Sequence, residues 1–253
     1  MFDYKAPTNA LANRNIVVTG AGAGIGRTAA MTYAALGATV VLVGRTVEKL
    51  EAVYDEIVAE GNPTPAIYPC DLSRAKEEDY DEMAAILQAE FGQLDGLLHN
   101  ASLLGERTPL SQYEARTWRH VMHVNVNAAF MMTQSLLPLL EASDDAAIIF
   151  TSSGVGKQGK AYWGAYSVSK FATEGMAQIW AEELENISNI RVNTINPGAT
   201  RTNMRAKAYP GEDPAINLTP EDIMPVYHYL MGPDSKGVTG QRFDAQTLGG
   251  PQG

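Results

Sequence analysis

The residues best suited to chemistry lie in the stretch GAYSVSKFATEG, residues 164–175, where Tyr166 stands four places before Lys170. On a helix that interval puts both side chains on one face. A free phenol titrates near pKa ~10 and is a poor acid or base at neutral pH. A nearby ammonium favours the phenolate and lowers that value. So paired, the tyrosine can give a proton to a carbonyl oxygen or take one from an alcohol. Tyr162 precedes Tyr166 by the same interval but has only Tyr166 at its own i+4 position, so Tyr166 is the tyrosine expected to act. Alone, the pair also fits a tyrosine at the core edge beside a snorkelling lysine. Ser152 and Ser153 favour the acid–base reading, because they close the apolar run AAIIFTSS just upstream. A hydroxyl at the carboxyl end of a parallel strand can hydrogen-bond the oxygen that Tyr166 protonates.

A second constellation stands near the start. The run NIVVT leads directly into TGAGAGIG, residues 19–26, with Gly20, Gly22, Gly24 and Gly26. Such glycines let a backbone turn tightly and approach a ligand closely. The helix that follows offers unpaired N–H groups and a positive dipole end to a pyrophosphate. No choice of these glycines meets the G-x-G-x-x-G spacing, so a glycine-rich turn without a ligand stays open. After the second apolar run come Gly44, Arg45 and Thr46, where an acidic residue would hold the adenosine ribose of NAD. An arginine there can pair with a 2′-phosphate, or simply be exposed at a helix start. Arg27 is a weaker candidate for the same charge. Asp71 and Leu72 follow the third run; Asp71 either borders an adenine edge or caps the next helix.

These residues need elements to hold them. Strands are expected at 15–19, 38–43, 65–71, 94–100, 146–153 and 189–196, with a seventh at 242–246. Helices are expected at 24–37, 46–61 and 77–92, and two long ones at 114–141 and 161–187. Strands alternating with helices imply parallel pairing through crossovers. Runs such as VVLV and AIIF suit strands buried on both faces. The expectation is one α/β domain over residues 1–253, a Rossmann-type doubly wound parallel sheet of about seven strands. The stretch 197–221, rich in Pro, Gly and Asn, reads as a surface loop or flap.

The bulk properties bound the function. Hydrophobic residues are 45% and charged residues 19% of 253, which permits a large core and argues against disorder. The net charge of −10 and the lack of a basic stripe argue against nucleic acid. Cys70 is the single cysteine, so no intrachain disulfide forms. The first residues lack a signal-peptide pattern and no apolar run is long enough to span a bilayer, so a soluble cytoplasmic protein is expected. His120 and His123 lack acidic or cysteine partners at ligand spacing, so no metal is expected.

The whole pattern resembles the short-chain dehydrogenase/reductase superfamily of the roughly 250-residue kind. The likeness runs through TGAGAGIG, CDL at 70–72, HNAS at 99–102, VNVNAAF at 124–130, TSS at 151–153, YSVSK at 166–170 and INPGATRT at 195–202. More narrowly, LLHNASLLG, WGAYSVSKFATEGM and NPGATRTNMRA are similar to a bacterial subgroup of largely uncharacterised NADP-dependent oxidoreductases. The resemblance implies roles. Tyr166 is the acid/base, Lys170 lowers its pKa and holds ribose hydroxyls, Ser153 orients the carbonyl, and Asn125 holds a proton-relay water. Ala23 and Ile25 belong to the glycine turn, Asn100 and Ala101 line the ribose side, and Pro197, Gly198, Thr200 and Thr202 wrap the nicotinamide and pyrophosphate. Leu103, Leu104, Trp163 and Met204 are expected to wall the substrate pocket.

The chain also departs from the pattern. Ser102 stands where the family has a glycine, and Ala23 where NADP-preferring members often carry a polar or basic residue. FDAQ at 243–246 replaces a Val-Asp-Gly-Gly ending, with altered subunit contacts expected. The expected function is an NADP(H)-dependent carbonyl reductase or secondary-alcohol dehydrogenase acting on a small molecule, as a homodimer or homotetramer. A 3-oxoacyl thioester reductase and a non-catalytic NADP-binding regulator are the alternatives.

Overall fold

The computed structural model describes residues 2–247. Seven strands form one parallel sheet in the order β3-β2-β1-β4-β5-β6-β7. They are β1 (Asn15–Thr19), β2 (Thr39–Gly44), β3 (Ala66–Pro69), β4 (Gly96–His99), β5 (Ala146–Thr151), β6 (Ile190–Asn196) and β7 (Arg242–Asp244). Helices α1 (Gly24–Ala35), α2 (Val47–Ala59), α3 (Glu77–Phe91), α4 (Ala115–Met122), α5 (Ala128–Glu141) and α6 (Gly164–Leu184) supply crossovers. Two more, α7 (Asn203–Ala208) and α8 (Met224–Met231), lie between β6 and β7.

The strands are apolar on consecutive residues because both faces are covered. Ile16 and Val18 pack on one face with Tyr33 of α1, Val53 of α2 and Tyr227 of α8. Val17 between them packs on the other face with Met83 of α3, Leu136 of α5 and Ala181 of α6. Strand order reverses between β1 and β4, which opens a crevice at their carboxyl ends. Thr19 staples that point: its hydroxyl donates to Leu98 O at 3.2 Å and accepts from the N–H groups of Asn100 and Ala101 at 2.9 and 3.1 Å.

Two expectations about elements are corrected. The stretch 114–141 is not one regular helix, because a wide π turn over His123–Asn127 separates α4 from α5. The region 197–221 is not simply loop: Thr202 caps α7 by accepting from Arg205 N. Helix α8 was not anticipated. Its Met224, Tyr227, Leu230 and Met231 are buried at helical spacing, and Pro225 occupies the first turn, where a missing N–H costs little. Among the described residues, no helix is long and apolar enough to cross a membrane.

Candidate active site

The crevice holds two adjoining cavities that share Gly20, Ala23, Ala101 and Ser102. The glycine turn shapes their common floor. Gly20 and Gly24 have φ of +69° and +55°, and a side chain at Gly26 would run into Gly20 O and Asn100 Nδ2. Ala23, at the start of α1, provides no side-chain cap, so first-turn N–H groups stay open beside Gly24 and Ile25, which line the inner cavity.

The inner cavity gathers Ser153, Tyr166 and Lys170 with Asn100, Pro197, Gly198, Thr200 and Thr202. Tyr166 is 7% exposed, whereas Tyr162 is 55% exposed with a φ of +69°. Lys170 is 4% exposed; its Nζ donates to Thr151 O at 2.6 Å and lies 5.6 Å from the Tyr166 ring centre. The expected acidification of the phenol is not what this arrangement produces. Burial pushes Tyr166 up to about 12, and the Ser153 and Ser102 hydroxyls only partly offset it. Burial also brings Lys170 down to about 8, against the opposing pull of Glu174. A neutral phenol is the form that gives a proton.

Asn125 sits in the π turn and is buried. Its Oδ1 accepts from Leu103 N at 2.7 Å, while Nδ2 donates to Leu103 O and to Ser169 Oγ, each at 2.9 Å. Ser169 Oγ in turn donates to Tyr166 O at 2.7 Å. Asn125 therefore ties the segment after β4 to the helix that carries Tyr166 and Lys170. Its side-chain bonds go to Leu103 and Ser169. Leu103 lines the outer cavity instead of the substrate wall.

Leu104, Trp163 and Met204 do stand together, packed with Tyr166 and Ala208. Arg107 closes this cluster from outside, 4.4 Å over the Trp163 ring and 5.1 Å over Tyr209, while donating to Ala208 O at 2.8 Å. Arg205 lies 3.9 Å over Tyr209 and pairs with Glu212 at 2.5 Å.

The outer cavity is lined by Gly22, Arg45, Asp71 and Leu72. Asp71 does not cap α3, which starts at Glu77; it accepts from Ser73 N and Oγ at 3.1 and 2.7 Å in a local turn. Those bonds and nearby Arg45 and Arg74 hold its carboxyl below the usual range against burial. Arg27 pairs with Glu56 and borders neither cavity.

Three residues escaped the sequence reading. Lys49 lines the outer cavity one helical turn after Arg45, a spacing that was there to be seen. Glu174 follows Lys170 by four and accepts from Ser152 Oγ and, at 2.8 Å, from Thr194 Oγ1, with Arg242 Nε 3.4 Å away. Gln246 donates to Pro197 O and Ala199 O. Gln246 of the FDAQ ending thus grips the chain's own loop after β6. His120 and His123 lie together outside the crevice, and no group of three or more potential metal-ligating side chains occurs among the described residues.

A family model described as short chain dehydrogenase matches residues 14–213. The chain belongs to the short-chain dehydrogenase family. It is 52% identical over 243 residues to the uncharacterized oxidoreductase YciK of Escherichia coli K12, with 96% of each chain covered. It is 30% identical to a cyclohexanol dehydrogenase of an Acinetobacter species, covering 94% of this chain and 96% of the relative. A short-chain dehydrogenase of Shigella flexneri 2a, solved in complex with NADP, superposes with a TM-score of 0.93 at 52% identity, covering 95% of this chain and 100% of that one. Members of the family are oxidoreductases, and the seven-stranded parallel sheet fits that membership.

Proposed function

We propose that the protein is an NADP(H)-dependent carbonyl reductase or secondary-alcohol dehydrogenase. The observation that carries this reading is one crevice with Ser153, Tyr166 and Lys170 at its inner end and Arg45 and Lys49 at its outer end. A phosphorylated dinucleotide suits it. The glycine turn admits close backbone approach, the start of α1 carries no side-chain cap, and Arg45 and Lys49 provide cations for a 2′-phosphate. NADP is also the ligand of the Shigella relative.

When bound, the cofactor supplies or accepts a hydride at the carbonyl carbon. The chain's residues supply orientation and the proton. Tyr166, neutral in its buried setting, gives its proton to the carbonyl oxygen as negative charge develops there. The Ser153 hydroxyl orients that oxygen. Lys170, held against Thr151 O, presents a positive charge 5.6 Å from the phenol ring centre and would hold the ribose hydroxyls of the cofactor. Pro197, Gly198, Thr200 and Thr202 line the inner cavity and would hold the nicotinamide side of the cofactor. Leu104, Trp163, Met204 and Ala208 provide an apolar wall, so the substrate is a small or medium carbonyl compound with an apolar portion. The cyclohexanol dehydrogenase relative makes cyclohexanone a reasonable first probe.

Phe130 on α5 and Val168, Phe171 and Ile179 on α6 are exposed apolar residues, which supports assembly of a homodimer or homotetramer through these helices. The functional reading is tested by titrating the protein with NADPH and NADH while following nicotinamide fluorescence. Tighter NADPH binding, with Tyr166→Phe abolishing turnover yet sparing NADPH binding, is the expected result. Absence of binding by either nucleotide rejects the enzyme reading.

A further inference from the structure

We propose that Ser102 is a positioning residue of the reaction centre, its hydroxyl sharing with that of Ser153 the task of hydrogen-bonding the Tyr166 oxygen. This deepens the reductase reading and rests on it. Three observations support the assignment.

The first is that the segment around Ser102 does not need its side chain. Asn100 N and Ala101 N are held by Thr19 Oγ1, and both backbone polar groups of Leu103 are held by Asn125. Ser102 is fixed from either side, and its hydroxyl is free to act elsewhere. The second is that this hydroxyl is buried and makes no hydrogen bond of ordinary geometry. A buried, unpartnered hydroxyl is costly, and a free one normally marks a group waiting for a ligand or an altered charge state. The third is its place. Ser102 lines both cavities, where the inner one, which holds Tyr166, joins the outer one. Ser153 and Tyr166 line the same inner cavity, so a hydroxyl at Ser102 faces the same space as the phenol.

The other ionisable groups around the phenol leave this task open. Lys170 on α6 spends a donor on Thr151 O, and Glu174, one turn further, is engaged by Ser152, Thr194 and Arg242. His99 on β4 is neutral and bonded to Thr133 Oγ1 at 2.8 Å. Arg107 is committed to Trp163, Tyr209 and Ala208 O, and Arg205 on α7 to Glu212. Tyr227 on α8 is buried with its phenol pushed up, so it brings no charge. When Tyr166 gives up its proton, the charge left on its oxygen needs a donor, and Ser102 and Ser153 are the hydroxyls at hand. Ser102 thereby makes the phenol a better acid in reduction and steadies the phenolate in oxidation.

The test is tyrosine carbon-13 Cζ NMR of the NADPH-bound protein at neutral pH, with the Tyr166 signal assigned by its loss in Tyr166→Phe. Ser102→Ala and Ser102→Gly both remove the hydroxyl, and Ser102→Thr restores it. The expected result is a displaced Tyr166 signal in the first two variants and a return toward the wild-type position in Ser102→Thr. An unmoved signal in Ser102→Ala and Ser102→Gly overturns the proposal. So does equal displacement in all three variants, which identifies a packing effect. Failure of the wild-type protein to bind NADPH is a different result: it removes the reductase reading itself, and this inference with it.

Discussion

Gln246 reaches across from the end of β7 and donates from Nε2 to Pro197 O at 3.0 Å and to Ala199 O at 2.9 Å. Between those carbonyls lies Gly198, whose φ is +71° and where an added Cβ would come within 2.6 Å of Gln246 Cδ. The amide therefore clamps the loop that is proposed to close over the nicotinamide. Two neutral hydrogen bonds of about 1 kcal/mol each are at stake. Gln246→Ala is expected to weaken NADPH binding by about tenfold, since the freed loop must be ordered on binding. Fluorescence titration of NADPH reads the effect. Unchanged affinity would show that the loop holds its shape without the clamp.

Arg45 and Lys49 set the second prediction. Both are exposed on the outer cavity, and an arginine pairs with phosphate through two parallel hydrogen bonds while lysine acts as a point charge. Arg45→Ala is expected to lose about 1.5–3 kcal/mol of NADPH affinity, with little change for NADH. Lys49→Ala should produce the same selectivity change at smaller size. Parallel titrations with NADPH and NADH measure it. Equal losses for both nucleotides would count against contact with a 2′-phosphate.

Much of this was legible in the sequence because it is local. Strand runs such as VVLV, the glycine turn and the Tyr166–Lys170 spacing carry their periodicity or geometry within a few residues. What was hidden depends on contacts made at a distance. The bond from Gln246 to Pro197 joins positions 49 apart. The acidity of Tyr166 depends on how deeply α6 is buried, and that reversed the expectation drawn from its lysine. A π turn inside a helical pattern leaves the hydrophobic periodicity almost intact, so the break at His123–Asn127 left no clear mark. Pro225 disguised α8, although its buried positions follow helical spacing.

Asn125 gives the third prediction. Its amide satisfies Leu103 N and O together and also reaches Ser169 Oγ. Asn125→Ala leaves Leu103 N and O without their partner and Ser169 Oγ with only its bond to Tyr166 O, at a cost of about 1–3 kcal/mol in stability. It also frees the segment bearing Ser102 from α6. Turnover is expected to fall by about a hundredfold, a size typical when a distant change misplaces reacting groups. Calorimetry and steady-state reduction of cyclohexanone measure the two effects. A loss of stability with full turnover would separate the brace from catalysis.

His99 yields a prediction about pH. Its ring is buried, stacked on Phe150 at 4.8 Å, and its Nε2 shares a hydrogen bond with Thr133 Oγ1. Burial, aided by the charge of Lys170, brings its pKa down from 6.5 to about 3. His228 on α8 is also buried, and its pKa falls to about 4. In the unfolded chain both rings take up protons near pH 6.5, while in the folded protein they stay neutral well below that. The unfolded state thus binds more protons between pH 6.5 and these depressed values. Stability from this source is fully present above pH 6.5 and is lost as pH falls toward 3. Each histidine contributes a slope of up to about 1.4 kcal/mol per pH unit within its own window. His99→Asn, which cannot titrate, is expected to flatten the decline by one histidine's share, leaving that of His228. Denaturant unfolding at a series of pH values from 7 to 4 reads the slope, and an unaltered slope in His99→Asn would show that the folded protein protonates His99 as readily as the unfolded chain does.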